Sequence, residues 1–181
     1  MLSELKKEHN AKKYKKITPQ RLKNIAMYYL KRFETSEYHL RSVLKRRIDD
    51  YAFHDKEFDK REAYQWLNEL MSDFVRLGYV NDERFAEIKI RGYLSAGKSP
   101  RYILNKLKEK GIDEDLADKL LSEQEYNPFE SAMKLAKKKR IGPYHDDEKL
   151  RKERRNKDMG ILIRAGFDYD IVLKVLEWKD D

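Results

Sequence analysis

The sequence predicts an all-α protein: three tandem three-helix repeats forming an elongated, curved array. Three observations predict it. Glycine and proline number only 7 and 4 in 181 residues, and they punctuate the chain rather than interrupt its periodic segments. Apolar residues recur at steps of three and four behind helix-start signals. One block of three such helices has partial copies on both sides, and tandem units that bury surface on their neighbours build curved arrays. Charged residues are 41% and hydrophobic residues 40%, against a usual charged share of about 25%. Large helix faces are therefore solvated, and several small cores in a row are expected rather than one large one.

Residues 1–16 read as a disordered basic arm. They carry six lysines and too little apolar surface to offset the entropy of ordering. Repeat one, residues 17–78, opens at Thr18-Pro19. Leu22, Ile25, Ala26, Tyr29 and Phe33 make its first stripe. Thr35 or Ser36 caps a second helix with Leu40, Val43, Leu44 and Ile48 on one face. The acidic stretch Asp49 to Lys60 reads as a connector, and a third helix runs from about Arg61 to Leu77 until Gly78 ends it. Phe33, Trp66, Phe74 and Phe85 are expected in the core; Tyr38, Tyr102 and Tyr144 lie near basic helices and are candidates for exposed contacts, with a partly buried boundary position as the favoured alternative.

Repeat two, residues 79–125, has the clearest signals. Asn81-Asp82-Glu83 opens its first helix, with Phe85, Ala86, Ile88, Ile90, Tyr93 and Leu94 inward. Ser99-Pro100 opens the second, Gly111 closes it, and Asp113 caps the third. Repeat three, residues 126–181, opens at Asn127-Pro128 and breaks at Gly142-Pro143. A basic segment follows, apolar only at Met159, Ile161, Leu162 and Ile163. The repeat is visible directly: Gly111-Ile112-Asp113 through Leu121 aligns with Gly166-Phe167-Asp168 through Leu176. Both copies hold a helix stop, an apolar latch, an Asp cap and an amphipathic helix.

The charge alternates with these units. Basic residues outnumber acidic ones over 1–48, 91–112 and 131–164, and acidic ones dominate 49–90, 113–130 and 165–181. The net charge is +8. Recurrent basic helices suit a polyanion such as nucleic acid, because lysine and arginine displace condensed counterions from phosphates. A solvated, salt-bridged surface is the plainer alternative.

Enzyme chemistry is not signalled, and no catalytic, cofactor or metal residue is assigned. His9, His39, His54 and His145 are not paired at metal-ligand spacing, there is no cysteine, and no phosphate-binding glycine loop occurs. Asp49-Asp50 and Asp55…Asp59 resemble a Mg²⁺ cluster only superficially; no phosphate-clamping motif accompanies them. No apolar run approaches the roughly 20 residues of a membrane span. The charged N-terminus does not read as a signal peptide, so a cytoplasmic protein is expected.

Asn81-Asp82-Glu83-Arg84-Phe85-Ala86, followed by Arg91, Gly97, Pro100, Ile103, Leu107, Lys110-Gly111 and Ile112, resembles the central signature of RecX regulatory proteins. Arg164-Ala165-Gly166-Phe167-Asp168-Tyr169-Asp170-Ile171 is similar to that family's C-terminal signature. The resemblance extends from about Thr18 to Trp178. It implies binding to the RecA nucleoprotein filament and to single- and double-stranded DNA, with inhibition of RecA and no catalysis by the protein itself. The alternative is a general helical DNA-binding protein without a RecA role. Charge and helix position nominate the contacts: Arg41, Lys45 and Arg47; Arg91, Lys98, Arg101, Lys106 and Lys108; Lys137, Lys138, Lys139, Arg140, Arg151, Arg154 and Arg155. Arg91 has a structural role as its alternative, in an ion pair that ties helix ends.

Overall fold

The computed structural model describes residues 15–178; residues 1–14 of the expected basic arm lie outside them. The described chain is all-helical: α1 (Pro19–Leu30), α2 (Glu37–His54), α3 (Lys60–Arg76), α4 (Asp82–Ser95), α5 (Pro100–Lys108), α6 (Glu114–Ser122), α7 (Pro128–Lys139), a 3₁₀ turn (Gly142–Tyr144), α8 (Glu148–Arg164) and α9 (Tyr169–Glu177). None of these helices is long and apolar enough to cross a membrane. The chain divides into two compact units, one ending at Asn81 and the other beginning at Asp82.

In the first unit, Thr18 Oγ1 accepts from the Arg21 N–H at 3.2 Å and Ser36 Oγ from the His39 N–H at 3.2 Å, so both expected starts are capped. Leu22 and Ala26 of α1, Leu40, Leu44 and Ile48 of α2, and Ala63, Leu67, Met71 and Phe74 of α3 form one buried cluster. Each large side chain in it contributes roughly 1.5–3 kcal/mol by leaving water. Trp66 packs partly buried against its edge.

Two expectations fail here. Phe33 is 55% exposed, because α1 ends at Leu30 and the helical spacing no longer applies. The acidic connector is shorter than expected, because α2 continues to His54. Three of its carboxylates act at the junction of α2 and α3. Asp49 Oδ1 accepts from the Tyr64 hydroxyl and pairs with Lys60 Nζ, both at 2.5 Å. Asp55 accepts from the Tyr51 hydroxyl at 2.9 Å, and Asp59 caps α3. Partial burial pulls the Asp49 carboxyl up, but the hydrogen bonds from Lys60 and Tyr64 outweigh it and hold the group below its ordinary value.

The second unit holds two further clusters. One collects Phe85, Ala86 and Ile90 of α4, Ile103 and Leu107 of α5, Ile112, and Ala117 and Leu120 of α6. The other collects Ala132 and Ala136 of α7, Ile141, Leu162 of α8, Phe167, and Val172, Val175 and Leu176 of α9. Ile88, expected inward, is 42% exposed. The two aligned stops share one geometry. Gly111 and Gly166 have φ of 74° and 89°. The next N–H donates back to Leu107 O at 3.1 Å in one copy and to Leu162 O at 3.3 Å in the other. The copies differ at the cap: Asp113 accepts from the Leu116 N–H, whereas Asp168 makes no cap bond.

α7 stops earlier than Gly142-Pro143 suggests. Arg140 takes the left-handed conformation, φ 51°, and Ile141 N donates to Ala136 O at 3.1 Å. A side chain there costs roughly 1–2 kcal/mol. In α8 only Leu162 of the four expected apolar residues is fully buried, and Ile163 is exposed. The buried polar residue is Asp158, 2% exposed. Its Oδ2 accepts from the Gly142 N–H at 2.9 Å and lies 2.6 Å from His145 Nε2, which pins the 3₁₀ turn to α8.

Candidate nucleic-acid interface

The fifteen nominated cations fall into two groups. Six have partners. Arg41 holds Glu37 at 3.0 Å and Asn68 at 2.6 Å, Arg91 approaches Glu87 at 3.6 Å, and Lys106 bonds Glu109 at 2.8 Å. Lys108 approaches Glu114 at 3.4 Å, Arg155 bonds Glu177 at 3.2 Å, and Arg151 donates to the carbonyls of Leu176 and Trp178. The hydrogen bond that Lys106 donates to Glu109 lifts it above the ordinary lysine value. Lys45 forms no close ion pair but acts on the Asp49 carboxylate through space, while Arg47, Lys98, Arg101, Lys137, Lys138, Lys139, Arg140 and Arg154 show no ion pair among the described residues. Exposed pairs contribute little, with a median of about 0–1 kcal/mol, so even Arg91 keeps most of its charge for an incoming anion.

Several of these side chains converge within the second unit. The turn between α4 and α5 packs against α7 and the α8–α9 turn. Ser99, the α5 cap, is 1% exposed; its Oγ accepts from the Tyr102 N–H at 3.2 Å and donates to Ala165 O at 2.6 Å. The approach leaves no room for side chains at two glycines. A Cβ on Gly97 (φ 68°) would lie 3.1 Å from Ser131 O, and one on Gly166 would lie 2.6 Å from Ser99 Oγ. Beside this seam is a cavity of about 320 Å³. Lys98, Lys139 and Arg164 stand around it, with Tyr102, Leu135 and Ile161 among its walls. Lys98 Nζ sits 4.7 Å from the centre of the Tyr102 ring. Arg164 is missing from the nominated set. Its sequence neighbours are apolar, and only the fold brings it to residues 66 and 25 positions away.

The remaining candidates are distributed. Lys137 borders a cavity of about 330 Å³ with Lys134, Phe129 and Tyr144. Arg151 and Arg155, with Lys152, line one of about 640 Å³ that also contains Glu148 and Glu177. Arg47 borders one of about 680 Å³ in the first unit, with Lys15, Lys16 and Arg21. Of the expected contact tyrosines, Tyr38 is exposed, while Tyr102 and Tyr144 are half-buried. His145 and Asp158 form a pair and not a larger ligand set; no group of three His, Asp or Glu side chains suited to a metal occurs among the described residues.

The described residues define an all-helical protein of small three-helix cores with cationic faces. Residues 81–121 match the family model described as RecX, second three-helix domain. Across 175 residues the chain is 36% identical to the regulatory protein RecX of Myxococcus xanthus, covering 95% of this chain and 92% of that one. It is 31% identical over 155 residues to the regulatory protein RecX of Agrobacterium fabrum, covering 85% and 80%. The crystal structure of RecX from Lactobacillus salivarius shares the fold, with a TM-score of 0.62 at 23% identity over 88% of this chain and 94% of that one. The chain belongs to the RecX family of regulatory proteins.

Proposed function

We propose that this chain binds the RecA nucleoprotein filament and DNA and restrains RecA: filament extension, ATP turnover and strand exchange. It acts by contact, without catalysis, as a cytoplasmic monomer of three three-helix repeats, 17–78, 79–125 and 126–181. Family membership supplies the partner. The observation that carries the DNA part is the group of unpaired cations along the second unit: Lys98 and Lys139 with Arg164 at the seam, and Lys137 and Lys138 beside them on α7. Cations without carboxylate partners meet phosphate without first breaking a pair. Complementary charge of this kind chiefly speeds encounter and sets register, so association weakens with salt. The test is RecA ATPase on single-stranded DNA titrated with this protein. Inhibition at substoichiometric protein, relieved by salt, is expected; unchanged turnover at low salt across a wide concentration range refutes the reading.

A further inference from the structure

We propose that the seam cavity takes one unstacked base of single-stranded DNA, with the adjoining phosphate held by Lys98, Lys139 and Arg164. This rests on the DNA-binding reading above and gives that surface a preference for unpaired strands. At about 320 Å³, the cavity lies at the lower end of the roughly 300–1,000 Å³ of small-molecule sites. That admits one planar ring and its sugar, whereas an acidic helical peptide needs a longer groove. Leu135 and Ile161 supply an apolar wall. Tyr102 supplies an aromatic face whose orientation is set by Tyr93, packed against it at 5.6 Å and 82°. A base has a π-face whatever its identity, so stacking here is tolerant of sequence.

The charges fit the same occupant. No carboxylate lines the cavity, and Lys98, Lys139 and Arg164 form no ion pair among the described residues. Lys98 rests over the Tyr102 ring, from which its flexible stem reaches a phosphate when a base covers that ring. The walls are held in place beforehand. The Ser99 bond to Ala165 O and the close approaches at Gly97 and Gly166 lock the turn against α7 and α8, so little ordering cost falls on binding. Lys134 and Lys137 on α7 extend the cationic track to a neighbouring phosphate.

The experiment compares binding of the full chain to an oligothymidylate and to an abasic sugar–phosphate oligomer of equal length, by fluorescence anisotropy at fixed salt. The thymidylate is expected to bind about tenfold more tightly. Leu135→Phe, which fills the cavity, and Tyr102→Leu, which removes the ring, each lower thymidylate binding to the abasic level and leave abasic binding unchanged. Irradiation of the wild type with 5-iododeoxyuridine oligomers, which needs no variant, is expected to give an adduct on Tyr102. Equal, salt-sensitive affinity for the two oligomers overturns the base site while leaving the DNA reading intact. Absence of binding to either overturns both. Loss of RecA inhibition in Leu135→Phe with base preference unchanged assigns the cavity to a protein partner and also overturns the proposal, as do adducts confined to other residues.

Discussion

Replacing Gly166 with alanine measures how tightly the seam is closed. Two costs combine. The backbone sits at φ 89°, where a side chain costs roughly 1–2 kcal/mol. The added Cβ would lie 2.6 Å from Ser99 Oγ and 3.2 Å from Arg101 Cβ. Ser99 is buried and cannot simply swing into solvent, so its bond to Ala165 O is lost. That removes about 1 kcal/mol and leaves a carbonyl with reduced pairing. The expected loss is about 3 kcal/mol, read from urea unfolding followed by circular dichroism. Gly78→Ala is the control. Its φ is 72°, but a Cβ there meets nothing within 4 Å, so only the backbone cost of about 1–2 kcal/mol remains. Ser99→Ala removes the clashing oxygen, and the double variant Ser99→Ala/Gly166→Ala is therefore less destabilised than the sum of its singles by about 1 kcal/mol. Equal losses at Gly166 and Gly78, with an additive double variant, refute the argument for a closed seam.

Three further outcomes are expected. Asp158→Ala strips the Gly142 N–H and the His145 ring of their shared hydrogen-bond partner and costs about 1–3 kcal/mol for each buried group left unpaired, with Asp158→Asn costing less; equilibrium denaturation distinguishes them. Asp49 has a folded-state value below its unfolded one, so its contribution is present above the unfolded value and disappears as pH falls through the folded value. Acidification therefore narrows the stability gap between wild type and Asp49→Asn in pH-stepped urea melts, and a gap that widens would falsify the assignment. Substituting glutamine at Lys98, Lys139 and Arg164 together is expected to reduce the slope of log affinity against log salt for single-stranded DNA by about 0.7, since the three cations hold one phosphate and each phosphate contact contributes about that much.

What the sequence discloses is what short segments decide. Thr18-Pro19, Ser36, Ser99-Pro100 and Asn127-Pro128 start helices because the capping oxygen and the bonded N–H lie two or three residues apart. The aligned stops at Gly111 and Gly166 are legible for the same reason. Tertiary decisions are not. Phe33 continues the apolar spacing of α1 but falls beyond the helix end. Gly92 and Gly160 sit inside α4 and α8 without ending them, although the chain's other glycines serve as punctuation. Arg140 adopts a conformation that glycine would favour, and no local signal separates it from the lysines before it. Asp158 reads as one more charge on a basic helix until His145 and the Gly142 N–H arrive from 13 and 16 residues away. Charge counts locate the basic helices, yet they do not separate Lys106, held by Glu109, from Lys98, which has no acidic partner. The cavity is harder still to read, because its cations come from the α4–α5 turn, the end of α7 and the end of α8.

Ser99 also bears on how the second unit opens. One hydroxyl serves the first turn of α5 as acceptor and the end of α8 as donor. Fraying of either segment deprives a polar group of the other of its partner. Two cores that are each small thus lose their independence, and opening of α5 entrains the α8–α9 turn as a single cooperative event. In hydrogen exchange, the amides of Tyr102 and Phe167, 65 residues apart in the chain, share one protection level, and a fault introduced at one end of the seam is felt at the other.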